Sequence, residues 1–118
     1  MDYSYTVEEM VVRLGELEHF VLLAILRLGN NAYGVAIRVE LRETTQREPS
    51  PGSLYTTLGR LEERGLVSSW LGDPTPQRGG RAKRFYAVTP KGLEAVARVQ
   101  RSLTRLLNGL DIAGIAHA

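Results

Sequence analysis

The sequence predicts a mainly α-helical fold that carries a two-stranded β hairpin and ends in one long helix. Three observations lead to that expectation: three helix-period segments in succession between residues 14 and 65, two short β-type runs around a Gly- and Arg-rich tip, and a last leucine seam stepping by three and four. A surface helix followed at once by a basic hairpin is the order of a winged helix-turn-helix. That arrangement presents one element to a major groove and another to the flanking backbone. DNA binding is therefore the function class the order points to.

Residues 1–13 have weak periodicity and fit either a short extra helix or an arm over a neighbouring subunit. Residues 14–28 (LGELEHFVLLAILRL) are apolar nearly all round in their central turns, the pattern of a core helix. Gly29, Asn30 and Asn31 tolerate left-handed backbone and stop it. A second helix is expected over residues 35–44, with Val35, Ala36, Ile37, Val39 and Leu41 inward and Arg38, Arg42 and Glu43 toward water. It ends at Thr44, Thr45 and Gln46, before the Glu48-Pro49 junction.

Ser50 is then a natural N-cap, with Pro51 at the first helical position where its missing amide hydrogen costs nothing. Leu54, Leu58 and Leu61 form the narrow inward stripe of a third helix that Gly65 closes. Residues 66–71 and 83–88 read as the strands of a hairpin with a long tip. Thr89 and Pro90 open the last helix, whose seam is Leu93, Val96, Gln100, Leu103, Leu107 and Leu110. The core is already supplied by the earlier elements, so this seam is expected to bury itself against the same helix of a second subunit, giving a homodimer. The organisation is thus an arm at 1–13, a DNA-binding domain at 14–89, a dimerisation helix at 90–110 and a frayed tail at 111–118.

At 118 residues the chain has room for one domain. The net charge of +2 hides an uneven distribution: Asp2, Glu8, Glu9, Glu16 and Glu18 face a lone Arg13 near the start, whereas residues 78–105 are strongly basic. No Cys is present, which removes thiolate chemistry, disulfides and Cys-based zinc sites. The longest apolar run, residues 20–26, is too short to cross a bilayer, and the acidic beginning does not fit a signal peptide, so a cytoplasmic location is expected. His19 and His117 lack the partners of a metal site, and no cofactor or metal is expected. Glu8-Glu9 and Glu62-Glu63 are adjacent pairs that do not face each other on a helix, and Gly79-Gly80 lacks the Lys-Ser/Thr of a phosphate-binding loop. No catalytic constellation emerges.

The candidate DNA-binding residues lie on two elements. On the third helix, Ser50, Ser53, Thr56 and Thr57 are short hydroxyls that let the backbone approach a groove, and Arg60 and Arg64 reach phosphates or a guanine edge. On the hairpin, Arg78, Arg81, Lys83 and Arg84 are suited to phosphates. Tyr55 fits equally a boundary aromatic or a hydroxyl donor to phosphate. Trp70, Phe85 and Tyr86 are read as strand packing.

The chain resembles the PadR family of transcriptional regulators over roughly residues 17–107. The resemblance rests on Tyr33-Gly34-Val35-Ala36-Ile37, Pro51-Gly52-Ser53-Leu54-Tyr55, Leu58-Gly59-Arg60-Leu61-Glu62-Glu63-Arg64-Gly65-Leu66-Val67, and Arg84-Phe85-Tyr86-Ala87-Val88-Thr89-Pro90-Lys91-Gly92, in that order. It implies a homodimeric winged-helix repressor at a palindromic promoter element, of the small subfamily with a single C-terminal dimerisation helix. It also associates Tyr55 with the DNA-binding surface. Small relatives bind planar aromatic drugs with a Trp on the terminal helix, where this chain has none. A dimer seam leaves room for a small apolar or aromatic effector, without a convergent polar group to define its chemistry. The competing reading is an architectural or protein-interaction adaptor with no specific operator.

Overall fold

The computed structural model describes residues 13–73 and 82–118; residues 1–12 of the predicted arm and the wing tip, with Arg78 and Arg81, lie outside the described residues. Helix α1 (Glu16–Leu28) begins at Gly15, whose amide donates to the Glu18 carboxylate at 2.8 Å. Val21, Leu22, Ala24 and Ile25 are buried along it, so this is the core helix the sequence predicts. His19 is half-buried beside them, and burial holds its imidazole below the ordinary histidine pKa.

A 3-10 turn (Gly29–Asn31) leads to helix α2 (Gly34–Thr45). Its inward stripe is narrower than expected: Ile37 and Leu41 are buried, whereas Val35 and Val39 are exposed. Gly34, Ile37 and Leu41 step by three and four on one face, and the two valines fall to its side. From α2, Arg38 donates to the Pro49 carbonyl at 3.0 Å and to Glu48 at 3.3 Å. These bonds hold the turn that aims the next helix.

Helix α3 (Pro51–Glu63) starts where Ser50 Oγ accepts the Ser53 amide at 3.1 Å. Leu54, Leu58 and Leu61 are fully buried, as their spacing predicts. The helix closes in a Schellman turn. The Leu66 amide donates to the Leu61 carbonyl (2.9 Å), the Gly65 amide donates to that of Glu62 (3.0 Å), and Gly65 takes φ +74°.

Strands β1 (Val67–Leu71) and β2 (Arg84–Val88) pair antiparallel, with Val67 opposite Val88 and Leu71 opposite Arg84. Tyr86 is buried, and Phe85 lies between Trp70, stacked at 6.1 Å, and Tyr33, edge-on at 5.7 Å. Tyr33 also bridges to Phe85 through the backbone, and the Tyr86 amide donates to the Ala32 carbonyl at 2.8 Å. The base of the wing is thereby joined to the start of α2.

Helix α4 (Pro90–Leu107) is capped by Thr89, which accepts the Gly92 amide at 3.0 Å and donates to the Gly65 carbonyl at 2.6 Å. Its first half packs into the protomer through Gly92, Ala95 and Val96. Every residue from 100 to 118 is exposed. The helix stops near Asn108 and Gly109 (φ +82°), earlier than the seam suggested. The tail then forms a short helix, α5 (Ile112–Ala116), where fraying was expected, because the Asp111 carboxylate accepts the Gly114 amide at 3.0 Å. Among the described residues no helix is long and apolar enough to cross a membrane.

Candidate nucleic-acid interface

Buried and anchored groups decide which part of α3 is left for a ligand. Leu54, Leu58 and Leu61 turn inward, so Ser53, Thr56 and Arg60 come out on the exposed side. Ser50 caps the helix at the foot of this face and remains exposed. Arg60 makes no ion pair among the described residues, leaving its planar fork of donors available to a phosphate or a base edge.

Two residues assigned to this face from sequence do not present themselves there. Thr57 is 7% exposed, and its hydroxyl donates to the Ser53 carbonyl at 2.8 Å. A threonine in a helix satisfies its hydroxyl on the preceding turn when it has no other polar partner, so this one is spent inside the protein. Arg64 reaches back across the domain, pairing with Glu18 at 3.0 Å and donating to the Arg13 carbonyl. Lys91 in turn donates to the Arg64 carbonyl at 3.1 Å. Arg64 thus ties the end of α3 to the start of α1 and of α4.

The described wing residues divide as well. Arg84 is exposed and donates to Ser69 Oγ at 3.0 Å, while Ser69 donates to Glu62 at 2.7 Å. This relay links the wing to the last turn of α3. Lys83 lies with its ammonium 4.2 Å over the Tyr33 ring, a cation–π contact that places a positive charge beside the start of α2.

Tyr55 completes the geometry. It is 51% exposed, and its hydroxyl lies so close to the Gly34 backbone that a methyl group there would sit 2.2 Å from it. Tyr33, Gly34, Val35, Tyr55, Ala82, Lys83 and Arg84 line a cleft of about 250 Å³ between α2, α3 and the wing. The first turn of α2 has no side-chain cap, so its leading amides, on Gly34 and Val35 at the cleft wall, have no side-chain acceptor. The cleft is thus bordered by the start of a helix, a phenol, Lys83 and Arg84, residue types that bind anions. The sequence reading missed Tyr33 and Gly34 as site residues; the Tyr-Gly pair directly before a helix was the available signal.

Gly34→Ala is expected to leave thermal stability nearly unchanged, since the half-exposed Tyr55 ring can swing aside, yet to weaken duplex binding several-fold by displacing that hydroxyl. Paired melting and DNA-titration measurements check it. Equal affinity for the variant and the parent would remove Tyr55 from the site.

The seam residues of α4 also separate. Val96 is only 6% exposed and packs in its own protomer's core, so it is not available to a partner; α4 must use one stripe of its first half to close the domain. Leu93, Gln100, Leu103, Leu107 and Leu110 remain exposed, and Leu106, not anticipated from the seam, is exposed beside them.

Comparison with known proteins agrees with this arrangement. The family model for the Transcriptional regulator PadR-like family matches residues 22–98. The chain is 40% identical over 79 residues to the transcriptional regulator Rv3488 of Mycobacterium tuberculosis, a match covering 65% of this chain and 67% of that protein. Among solved structures it is similar to a PadR family transcriptional regulator from Eggerthella lenta, with a TM-score of 0.60 and 27% identity over 87% of each chain. It is also similar to RosR of H. salinarum, with a TM-score of 0.65 and 26% identity, covering 83% of this chain and 81% of that one. A winged helix-turn-helix with an exposed polar face on its third helix, matched by the family model over most of its core, makes this chain a DNA-binding transcriptional regulator and not an enzyme: it belongs to the PadR-like family.

Proposed function

We propose that the chain is a homodimeric, cytoplasmic repressor of the small PadR subfamily that reads a palindromic promoter element. Ser50, Ser53, Thr56 and Arg60 of α3 face the major groove. Lys83 and Arg84, with Arg78 and Arg81 of the wing tip, hold the flanking phosphates. One phosphate enters the cleft at the start of α2, where the leading amides, the Tyr55 hydroxyl and Lys83 meet it. Helix α4 pairs with its counterpart through Leu93, Gln100, Leu103 and Leu107, with Leu110 just beyond its end, setting the two reading helices about 34 Å apart, one turn of B-DNA. The seam between subunits is also where a small apolar or aromatic inducer would act.

The observation that carries this reading is the exposed polar face of α3, capped by Ser50 and bearing an Arg60 with no ion pair among the described residues, beside the cleft lined by Tyr55, Lys83 and Arg84. The test begins by selecting bound fragments from the source genome and comparing Arg60→Ala with the parent on the selected operator and on unrelated duplex. Loss of a base contact lowers operator affinity by about 1–3 kcal/mol more than affinity for unrelated sequence. Equal losses on both duplexes would leave Arg60 a phosphate contact only. An operator no better than random duplex would favour the adaptor reading instead.

A further inference from the structure

The C-terminal segment has an apolar surface that nothing among the described residues covers. Ile112 and Ile115 of α5 are 52% and 62% exposed, on a helix of five residues. Isolated helices much shorter than about 12–15 residues do not persist in water, so α5 needs a surface to lie on. Asp111 presets its first turn, which leaves the two isoleucines as a preformed apolar knob.

The same protomer carries a matching hollow. Between α1 and α2 runs an apolar groove of about 500 Å³, floored by Phe20, Leu23, Leu26 and Leu41 and bordered by Thr44, Arg27 and Glu40. The Arg27 side chain is 62% exposed and only loosely paired with Glu40 at 3.6 Å. It is a cation at the rim for Asp111, the only charged side chain of α5 and its cap.

We infer that α5 is a clasp: Ile112 and Ile115 of one subunit seat in the α1–α2 groove of the other. This rests on the dimer reading above. Leu103, Leu106, Leu107 and Leu110 are exposed as well, so exposed apolar side chains recur along the chain from the α4 seam to the two isoleucines, and the clasp extends that seam. The turn at Gly109 (φ +82°) redirects the chain at the point where the seam ends. Two clasps per dimer tie the C-terminal arms to the helices that position α3, so dimerisation also holds the reading helices in place.

The absence of Cys makes the test clean. A chain carrying Ile115→Cys and a differently tagged chain carrying Thr44→Cys are mixed at a concentration that permits subunit exchange and then oxidised. The clasp gives a disulfide-linked product containing both tags. In the full chain, Ile112→Ser together with Ile115→Ser weakens the dimer about tenfold or more in sedimentation while leaving the melting of α1–α4 in place. A dimer with no mixed disulfide and unchanged affinity in the serine variant overturns the clasp but keeps the α4 dimer. A disulfide formed only within a doubly substituted single chain overturns it in favour of a tail folded on its own groove. An apolar dye bound equally by the parent and serine-variant dimers overturns it in favour of an open small-molecule site. A chain that stays monomeric at all concentrations removes the dimer reading itself.

Discussion

Replacing Leu103 and Leu107 together with glutamate should convert the protein to a monomer and weaken binding to a palindromic operator by about 10²–10⁴-fold. Both leucines are about half exposed in the protomer and make no part of its buried core, so the variant is expected to fold. In a symmetric pair each leucine appears twice. Burying a leucine stabilises by roughly 1.5–3 kcal/mol, and setting carboxylates in the same place adds a desolvation cost and like-charge repulsion. The loss on DNA comes from geometry, not from contacts. A dimer that binds one half-site holds its second reading helix at a high effective concentration over the other, and a monomer does not. Affinity for an isolated half-site should therefore be unchanged. Sedimentation, circular dichroism and titrations on full and half operators check the three statements together. A folded dimer with full operator affinity would refute the α4 seam.

Gly92→Ala should destabilise the protein by about 3 kcal/mol, although alanine is the better helix former by about 1 kcal/mol. A Cβ at Gly92 would lie 2.1 Å from the Leu66 carbonyl oxygen, 3.0 Å from its carbon and 2.8 Å from Val88 Cγ1. Leu66 is fully buried, and its carbonyl accepts the Thr89 amide at 3.1 Å, so it cannot withdraw without breaking the cap of α4. The helix must lift from the hairpin instead. For a chain of this size the loss corresponds to a fall in Tm of roughly 10–15 °C. Gly59→Ala is the control, because nothing lies within 4 Å of a Cβ there. It should be neutral or slightly stabilising in the free protein. Thermal melts of both variants decide the matter, and a Gly92 variant as stable as its parent would show that α4 does not pack as described.

These expectations mark where the chain was legible. The leucine stripe Leu54, Leu58 and Leu61, the caps Ser50 and Thr89, and the closing Gly65 depend on nearest neighbours and on helical period, and each appears where its spacing places it. Gly92 looked like any residue of a first turn. Its constraint comes from Leu66, which is close in space and not in the helix. The Tyr33–Phe85 bridge is a single paired residue with no period to betray it. Arg64 has the composition of a DNA contact, and only the fold shows that Glu18, 46 residues away, claims it. Thr57 and Val96 were placed on the wrong sides because each lies at the edge of a face, where a rotation of some tens of degrees separates groove from core.

The amino-acid order alone determined three helices, a basic hairpin and a last helix with a leucine seam, and with them a DNA-binding class of protein. Periodicity and capping are local properties, so they survive without coordinates. Tertiary structure alone decided which polar side chains are left over for a ligand and which are consumed in holding the domain together, as Thr57 and Arg64 are. It also brought Tyr55, Gly34 and Lys83 into one cleft. The reason is that availability is set by competition among groups distant in the chain, and that competition is resolved only when the chain packs.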